Sequence, residues 1–263
     1  MNSVPSMVKD SSKLKLLVLT SSFPRSREDF AGSFVAEFAE SLSDSFEIVI
    51  LSPAAKGAPV KERRGNLIIY RFNYFWPLRA QLLDASADLQ PLLERSLFAR
   101  LQVIPFFIVF LFRALLLARG ADIICSHWFL PAGLVGAFVA KVMGRPHIAI
   151  EHSGALHLLK KLRTGRLLTG FIVRNAKRLI VVSEQLRKQL IALYPAVESK
   201  VDVLPMGIDY RAFGINRVKS LTDPTPTNIA ACTPDNKSLC TGFGAVTAVR
   251  PPRNMQLSAR FQF

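Results

Sequence analysis

From Lys13 to about Phe213, short unbroken apolar runs alternate with longer stretches of helical period. The runs are Leu14–Leu19, Ile48–Leu51, Leu67–Phe72, Ala121–Cys125, His147–Ile150, Leu179–Val182 and Val201–Leu204. Continuous runs of this length, rich in Ile, Val and Leu, fit parallel strands covered on both faces. Helices are predicted at about 31–44, 92–119, 132–143, 157–176 and 184–194. Strand and helix in turn make a βαβ series, so the expected fold class is α/β with a doubly wound, mostly parallel sheet. Right-handed crossovers then bring the loops after the strands to one edge, where ligands bind.

The pattern stops near Phe213. Residues 214–263 hold Thr-Pro, Pro-Thr and Pro-Pro steps and no sustained period of 2.0 or 3.6. They are expected to form an irregular tail, disordered or the product of a frame disruption, while residues 13–213 form the folded unit. Residues 1–12 are polar and mixed in charge and are expected to be disordered; with the short run after them they do not make a secretion signal. The most apolar stretch, Val103–Phe112 followed by Arg113, falls short of the roughly 18 charge-poor residues of a spanning helix. It is read as a buried helix of a layered domain in preference to an interfacial membrane segment.

Composition adds a charge. The 263 residues carry 34 Lys and Arg against 19 Asp and Glu, a formal +15 that favours polyanionic partners. The basic excess is densest over residues 160–188, where Lys160, Lys161, Arg163, Arg166 and five further cations face the single acid Glu184. Such a stretch can lie on anionic lipid; it lacks interleaved aromatics, so a membrane surface is preferred to nucleic acid. Half the residues are apolar, which excludes a disordered or fibrous protein. Three cysteines without a CxxC pair exclude a disulfide scaffold or a structural zinc, and no metal site is expected.

Candidate chemistry gathers at the predicted strand ends. After the first strand, Thr20–Arg25 leads to Asp29-Phe30-Ala31-Gly32-Ser33-Phe34. Gly32 at this loop-to-helix junction serves either backbone contact with a phosphate or a plain turn. The loop is not GxGxxG, which argues against a dinucleotide fingerprint. After the fourth run stand His127 and Trp128, able to hold a polar ring by hydrogen bond and apolar face, or to be a loop satisfied by backbone. The fifth run ends in Glu151-His152-Ser153-Gly154. Two polar groups leaving an apolar strand together suit contact with a bound phosphate or hydroxyl, one donating and the other orienting it.

Taken in order, Ser22-Phe23-Pro24, the Gly32 loop, Ser126-His127-Trp128 with Pro131 and Gly133, Glu151-His152-Ser153, Val182-Ser183-Glu184 and Leu204-Pro205-Met206-Gly207-Ile208-Asp209 resemble the N-terminal half of a family 4 glycosyltransferase. The resemblance runs from Lys13 to Phe213. It implies a Rossmann-like domain that is one half of a GT-B fold and binds the acceptor. The activity it implies is retaining hexosyl transfer from a nucleotide sugar, a co-substrate rather than a cofactor, to a lipid-linked or polysaccharide acceptor in cell-surface glycan synthesis. By this resemblance His152 sits beside the transferred sugar and the acceptor. Gly32, His127, Trp128, Glu151 and Ser153 bind substrate, and the chain is cytoplasmic, peripheral on the inner membrane face. The family's donor domain carries a Glu-x7-Glu signature, and residues 214–263 contain no Glu. The chain is therefore expected to be truncated and inactive alone, with a non-catalytic acceptor- or membrane-binding module, or half of a split enzyme whose donor domain is a separate chain, as the alternatives.

Overall fold

The computed structural model describes residues 13–26, 29, 31–83, 89–152, 159 and 164–205. The chain divides into two units, Met1–Gly207 and Ile208–Phe263. The expectations for residues 1–12 and for the tail lie outside the described residues, as do Ser153, Lys160, Lys161 and Arg163.

Eight strands form one sheet in the order β3-β4-β2-β1-β5-β6-β7-β8. They are β1 (Leu14–Leu19), β2 (Phe46–Pro53), β3 (Lys61–Arg64), β4 (Leu67–Phe72), β5 (Ile123–His127), β6 (His147–Glu151), β7 (Arg178–Val181) and β8 (Val201–Val203). Every pairing is parallel except β3 with β4. The expected doubly wound α/β fold is thus present. Six α-helices accompany the sheet among the described residues: α1 (Ser33–Leu42), α2 (Leu89–Arg95), α3 (Leu97–Ala118), α4 (Leu134–Met143), α5 (Gly165–Asn175) and α6 (Glu184–Leu193).

Both faces of the sheet are buried, which is why its strands read as unbroken apolar runs. Along β1, Leu16 and Val18 join the core beneath α1, whereas Leu17 and Leu19 join the core beneath α3 and α4. The chain winds outward from β1 through β2 and β4 on one side. On the other it winds from β5 to β8, so the order reverses between β1 and β5. A reversal of this kind opens a crevice at the carboxyl ends of the strands.

Three features depart from the sequence reading. β3 is an additional strand, Lys-Glu-Arg-Arg, with no apolar face to announce it; its charges suit an exposed edge. The predicted helix 92–119 is two helices, divided at Ser96, whose Oγ accepts from the Ala99 N–H at 3.1 Å and caps α3. Finally, α3 is not a buried helix. Ala99, Phe106, Phe110, Ala114 and Ala118 pack inward, but Leu101, Ile104, Ile108 and Phe112 face outward. It is also 22 residues long, with an 18-residue window of mean hydropathy 2.3, so by length and composition it reaches the size of a membrane-crossing helix that the stretch Val103–Phe112 alone fell short of.

The inner and outer faces of α3 should respond differently to truncation. Phe110 is fully buried and stacks on Phe72 with ring centroids 4.9 Å apart. Phe110→Ala should cost about 3–5 kcal/mol of unfolding free energy. Ile108→Ala, at a position 62 % exposed, should change it by less than about 0.5 kcal/mol. Urea unfolding of the two variants checks both values.

Candidate functional site

The loop after β1 is fixed before it reaches any ligand. Phe23 is buried, and Arg71, buried on β4, donates to the Pro24 carbonyl at 3.1 Å and the Pro59 carbonyl at 3.0 Å. Arg64 of β3 donates to the carbonyls of Pro24 and Arg25. The edge strand that the sequence hid therefore braces the loop it identified. Further along, Arg25 donates from Nε to Asp29 Oδ2 at 2.7 Å and holds that carboxyl below its usual range.

Gly32 ends this loop with φ +71°, where L side chains rarely sit. A Cβ there would fall 2.6 Å from the Ser22 carbonyl oxygen. The Gly32 carbonyl accepts from the Val35 N–H at 3.0 Å and starts α1. The glycine thus has a complete backbone reason of its own: it lets α1 begin directly against the first loop.

Across the reversal, β5 and β6 pair in parallel with His127 opposite Ile150. Next to His127, Trp128 takes φ +65°, a strained conformation for a large side chain. The strain is held by two bonds, the Trp128 N–H to the Ile150 carbonyl and the Gly133 N–H to the Trp128 carbonyl, each 2.8 Å. The chain then makes one wide turn, Phe129–Gly133, before α4, so the helix predicted from 132 starts at Leu134. Glu151 closes this turn. It is buried, and its Oε2 accepts from the Phe129 N–H at 2.8 Å. Expected to leave the sheet edge with His152 toward a substrate, Glu151 instead points inward and positions the turn that carries Trp128.

His127 and His152 meet. His127 Nδ1 and His152 Nε2 are 3.0 Å apart, with the two rings nearly parallel at 8°. His127 is fully buried, whereas His152 is half-buried and lies nearer the surface. Two phenylalanines one helical turn apart on α1 enclose the pair: Phe38 lies edge-on to His127 at 5.0 Å, and Phe34 packs against His152 at 4.9 Å and Trp128 at 5.5 Å. Both lie in the helix predicted at about 31–44, and sequence reading gave neither of them a role at the site. Their i, i+4 spacing after the first loop is the signal that was available.

Burial keeps these rings neutral. It lowers His152 to about 4 and His127 well below 6.5, the latter helped by the neighbouring His152. A neutral pair shares one hydrogen. His127 Nε2 is buried without a partner among the described residues, and a buried N–H left unmet costs more than a lone pair left unmet. On that ground the hydrogen belongs to His127 Nδ1 and donates to His152 Nε2. His152 then carries its own hydrogen on Nδ1, a donor outside the pair. This tautomer is assigned from the bonding pattern.

A third histidine was missed. His147 starts β6, is fully buried, and lies 2.8 Å from Ser126 Oγ. Gly136 of α4 passes so close that a Cβ there would sit 2.6 Å from His147 Nε2. Burial lowers its pKa to about 3 and pushes the Cys125 thiol up to about 12, which makes that thiol a poor nucleophile. Of the four cations Lys160, Lys161, Arg163 and Arg166, only Arg166 is among the described residues, and it is exposed on α5. Among the described residues, no three His, Cys, Asp or Glu are grouped to hold a metal.

A doubly wound sheet with its polar side chains collected at the point where the strand order reverses is a ligand-binding α/β architecture. Residues 31–211 match the model of glycosyltransferase family 4, and the chain belongs to that family. Over 73 residues it is 33 % identical to an uncharacterized glycosyltransferase of Methanocaldococcus jannaschii, a match covering 28 % of this chain and 21 % of that protein. Among solved structures it is similar to Anabaena HepE in complex with UDP and glucose, at 16 % identity and a TM-score of 0.48, over 82 % of this chain and 48 % of that one. It is also similar to a UDP-forming trehalose-phosphate synthase from Burkholderia xenovorans, at 14 % identity and a TM-score of 0.49, over 82 % of this chain and 53 % of that one. The chain spans about half the length of these two structures.

The neutral histidines tie stability to pH. An unfolded histidine takes a proton below about 6.5, whereas the folded chain refuses it down to about 4 at His152 and about 3 at His147. The unfolded state then binds more protons, so stability is full above pH 6.5 and falls as pH is lowered through that window. The urea midpoint should drop between pH 7 and pH 5, and His147→Asn should flatten the slope while lowering the plateau.

Proposed function

We propose that this chain is the acceptor-binding half of a retaining hexosyltransferase. In this reading a hexosyl group passes from a nucleotide sugar to a lipid-linked or polysaccharide acceptor in cell-surface glycan synthesis. The observation that carries the reading is the contact of His152, at the end of β6 in a family 4 chain, with His127 through its Nε2 at 3.0 Å, which under the assigned tautomer leaves the Nδ1–H outside the pair. A neutral donor fits a sugar hydroxyl, which offers lone pairs and no charge. Trp128 and Phe34, in contact with each other and with His152, supply the apolar wall on which a pyranose ring can lie. His127 orients His152 from beneath, and Glu151 holds the turn that presents Trp128.

In this reading the start of α1 at Gly32 faces the donor diphosphate, where the N–H groups of Ser33 and Phe34 and the helix dipole favour negative charge. Transfer by positioning needs the donor wall as well. Residues 214–263 hold no Glu, so they do not provide the Glu-x7-Glu pair of that wall. The stretch with Lys160, Lys161, Arg163 and Arg166 attracts the chain to anionic lipid on the cytoplasmic face, where a lipid-linked acceptor lies.

Acceptor binding and turnover separate the parts of this proposal. The 263-residue chain should bind an oligosaccharide or lipid-linked glycan saturably by calorimetry without releasing sugar from any nucleotide sugar. His152→Ala should weaken that binding roughly tenfold, the loss of a desolvated hydrogen bond at about 1.4 kcal/mol. His152→Gln, which keeps a donor, should recover part of it. Turnover by the purified chain, abolished by His152→Ala, would show that these residues suffice for catalysis; absence of glycan binding would remove the acceptor role.

A further inference from the structure

The outward face of α3 is an apolar ridge. Leu97, Leu101, Ile104, Ile108, Phe112 and Leu116 recur at helical spacing and are all exposed. Along the axis they cover about 28 Å at 1.5 Å per residue. Soluble monomers rarely expose apolar surface of this extent without a use for it. Beside the start of α3, Phe98 packs edge-on against Phe75 with centroids 5.5 Å apart. The next residue, Trp76, is 84 % exposed. The ridge therefore begins next to an indole that is largely exposed among the described residues.

We propose that this face of α3, with Trp76 at its end, inserts into the headgroup region of an anionic lipid bilayer and lies in the membrane plane. The inference rests on the membrane-surface part of the proposed function and deepens it by adding an apolar insertion to the electrostatic attraction. Charge selects lipid as the occupant. No acid occurs anywhere in α3, whose charges are Arg100 and Arg113, with Arg119 just beyond its end. Arg113 and Arg119 make no ion pair among the described residues. A second copy of the chain would bring the same arginines together with no carboxylate on the helix to meet them. Anionic headgroups flanking an apolar strip supply what both features lack, and Trp favours this interface. The helix lies along the bilayer and does not cross it, because its opposite face, with Phe106 and Phe110, is part of the core against the sheet.

The test uses the 263-residue chain with vesicles of phosphatidylcholine alone and of phosphatidylcholine and phosphatidylglycerol in equal parts. Two variants are compared: L101Q/I104Q/I108Q/F112Q on exposed positions of the ridge, and K160E/K161E/R163E/R166E in the basic stretch. Wild type should sediment with the mixed vesicles and keep measurable binding at about 1 M salt, where the screening length is about 3 Å. In a Trp128→Phe background, Trp76 emission should shift to the blue on binding. The glutamine variant should keep its circular dichroism and bind roughly tenfold more weakly or less. The glutamate variant should lose only the salt-sensitive part.

Wild-type affinity in the glutamine variant, or binding that vanishes completely at high salt, would overturn the insertion while leaving electrostatic attraction standing. Loss of all binding in the glutamate variant, with none caused by the glutamines, would do the same. A lipid-free dimer that the four glutamines dissolve would show that a second copy covers α3. No binding of wild type to either vesicle would overturn the insertion and the membrane surface together, without touching the acceptor role.

Discussion

The bond from the Phe129 N–H to the buried Glu151 carboxyl ties the end of β5 to the end of β6. A carboxyl taken out of water is costly unless its oxygens meet donors, so this contact is a demand as well as a tie. It obliges the chain to turn immediately after Trp128, and the turn in turn forces the positive φ there. Parallel pairing with His127 opposite Ile150 then sets His127 and His152 at neighbouring strand ends, within one hydrogen bond. The aromatic and imidazole rings of the site thus owe their arrangement to a residue that does not face the opening.

The other wall depends on a different kind of constraint. The loop after β1 has carbonyls that no strand satisfies, and Arg64 and Arg71 reach across from the sheet edge to bond them. Glu62 lies between the two guanidinium groups at 2.6 and 3.3 Å and offsets their charge. With that loop fixed, Gly32 can bring α1 against the Ser22 carbonyl and aim Phe34 and Phe38 at the histidines. Each wall is therefore built from a buried polar network that positions an aromatic contact. Partial loss of either network should leave unpaired groups rather than a tolerant apolar gap.

Much of the fold was legible because the sheet is covered on both faces. That arrangement makes strands such as Leu14–Leu19 and Leu67–Phe72 unbroken apolar runs, and all seven predicted runs overlap strands. β3 was hidden for the complementary reason: an antiparallel edge strand with one exposed face needs no apolar residue, and Lys61–Arg64 has none. For α3, its composition reads as burial, yet only the packing of the sheet decides how much of a helix apolar all round is covered. At the site, His127 and His152 were legible as strand-end residues. Their contact required the β5–β6 adjacency, and the inward turn of Glu151 required the Phe129 N–H. Neither is written in residue type alone.

The formal charge of +15 and the chemistry of the site act in different places. Burial keeps His127, His147 and His152 uncharged at neutral pH, and the two arginines nearest the first loop are bonded to carbonyls and to Glu62. What faces outward near the β5–β6 ends is a set of neutral imidazole and ring faces, with the Glu151 carboxyl buried behind them; the proposed function sets uncharged hydroxyls against these faces. The exposed cations lie elsewhere, Arg166 on α5 and Arg113 and Arg119 at the far end of α3. Under the proposed function, attraction to an anionic surface could then be tuned without altering the polarity of the site. In that same reading, this separation would let a chain meet its acceptor at a charged surface and still recognise it by uncharged hydroxyls.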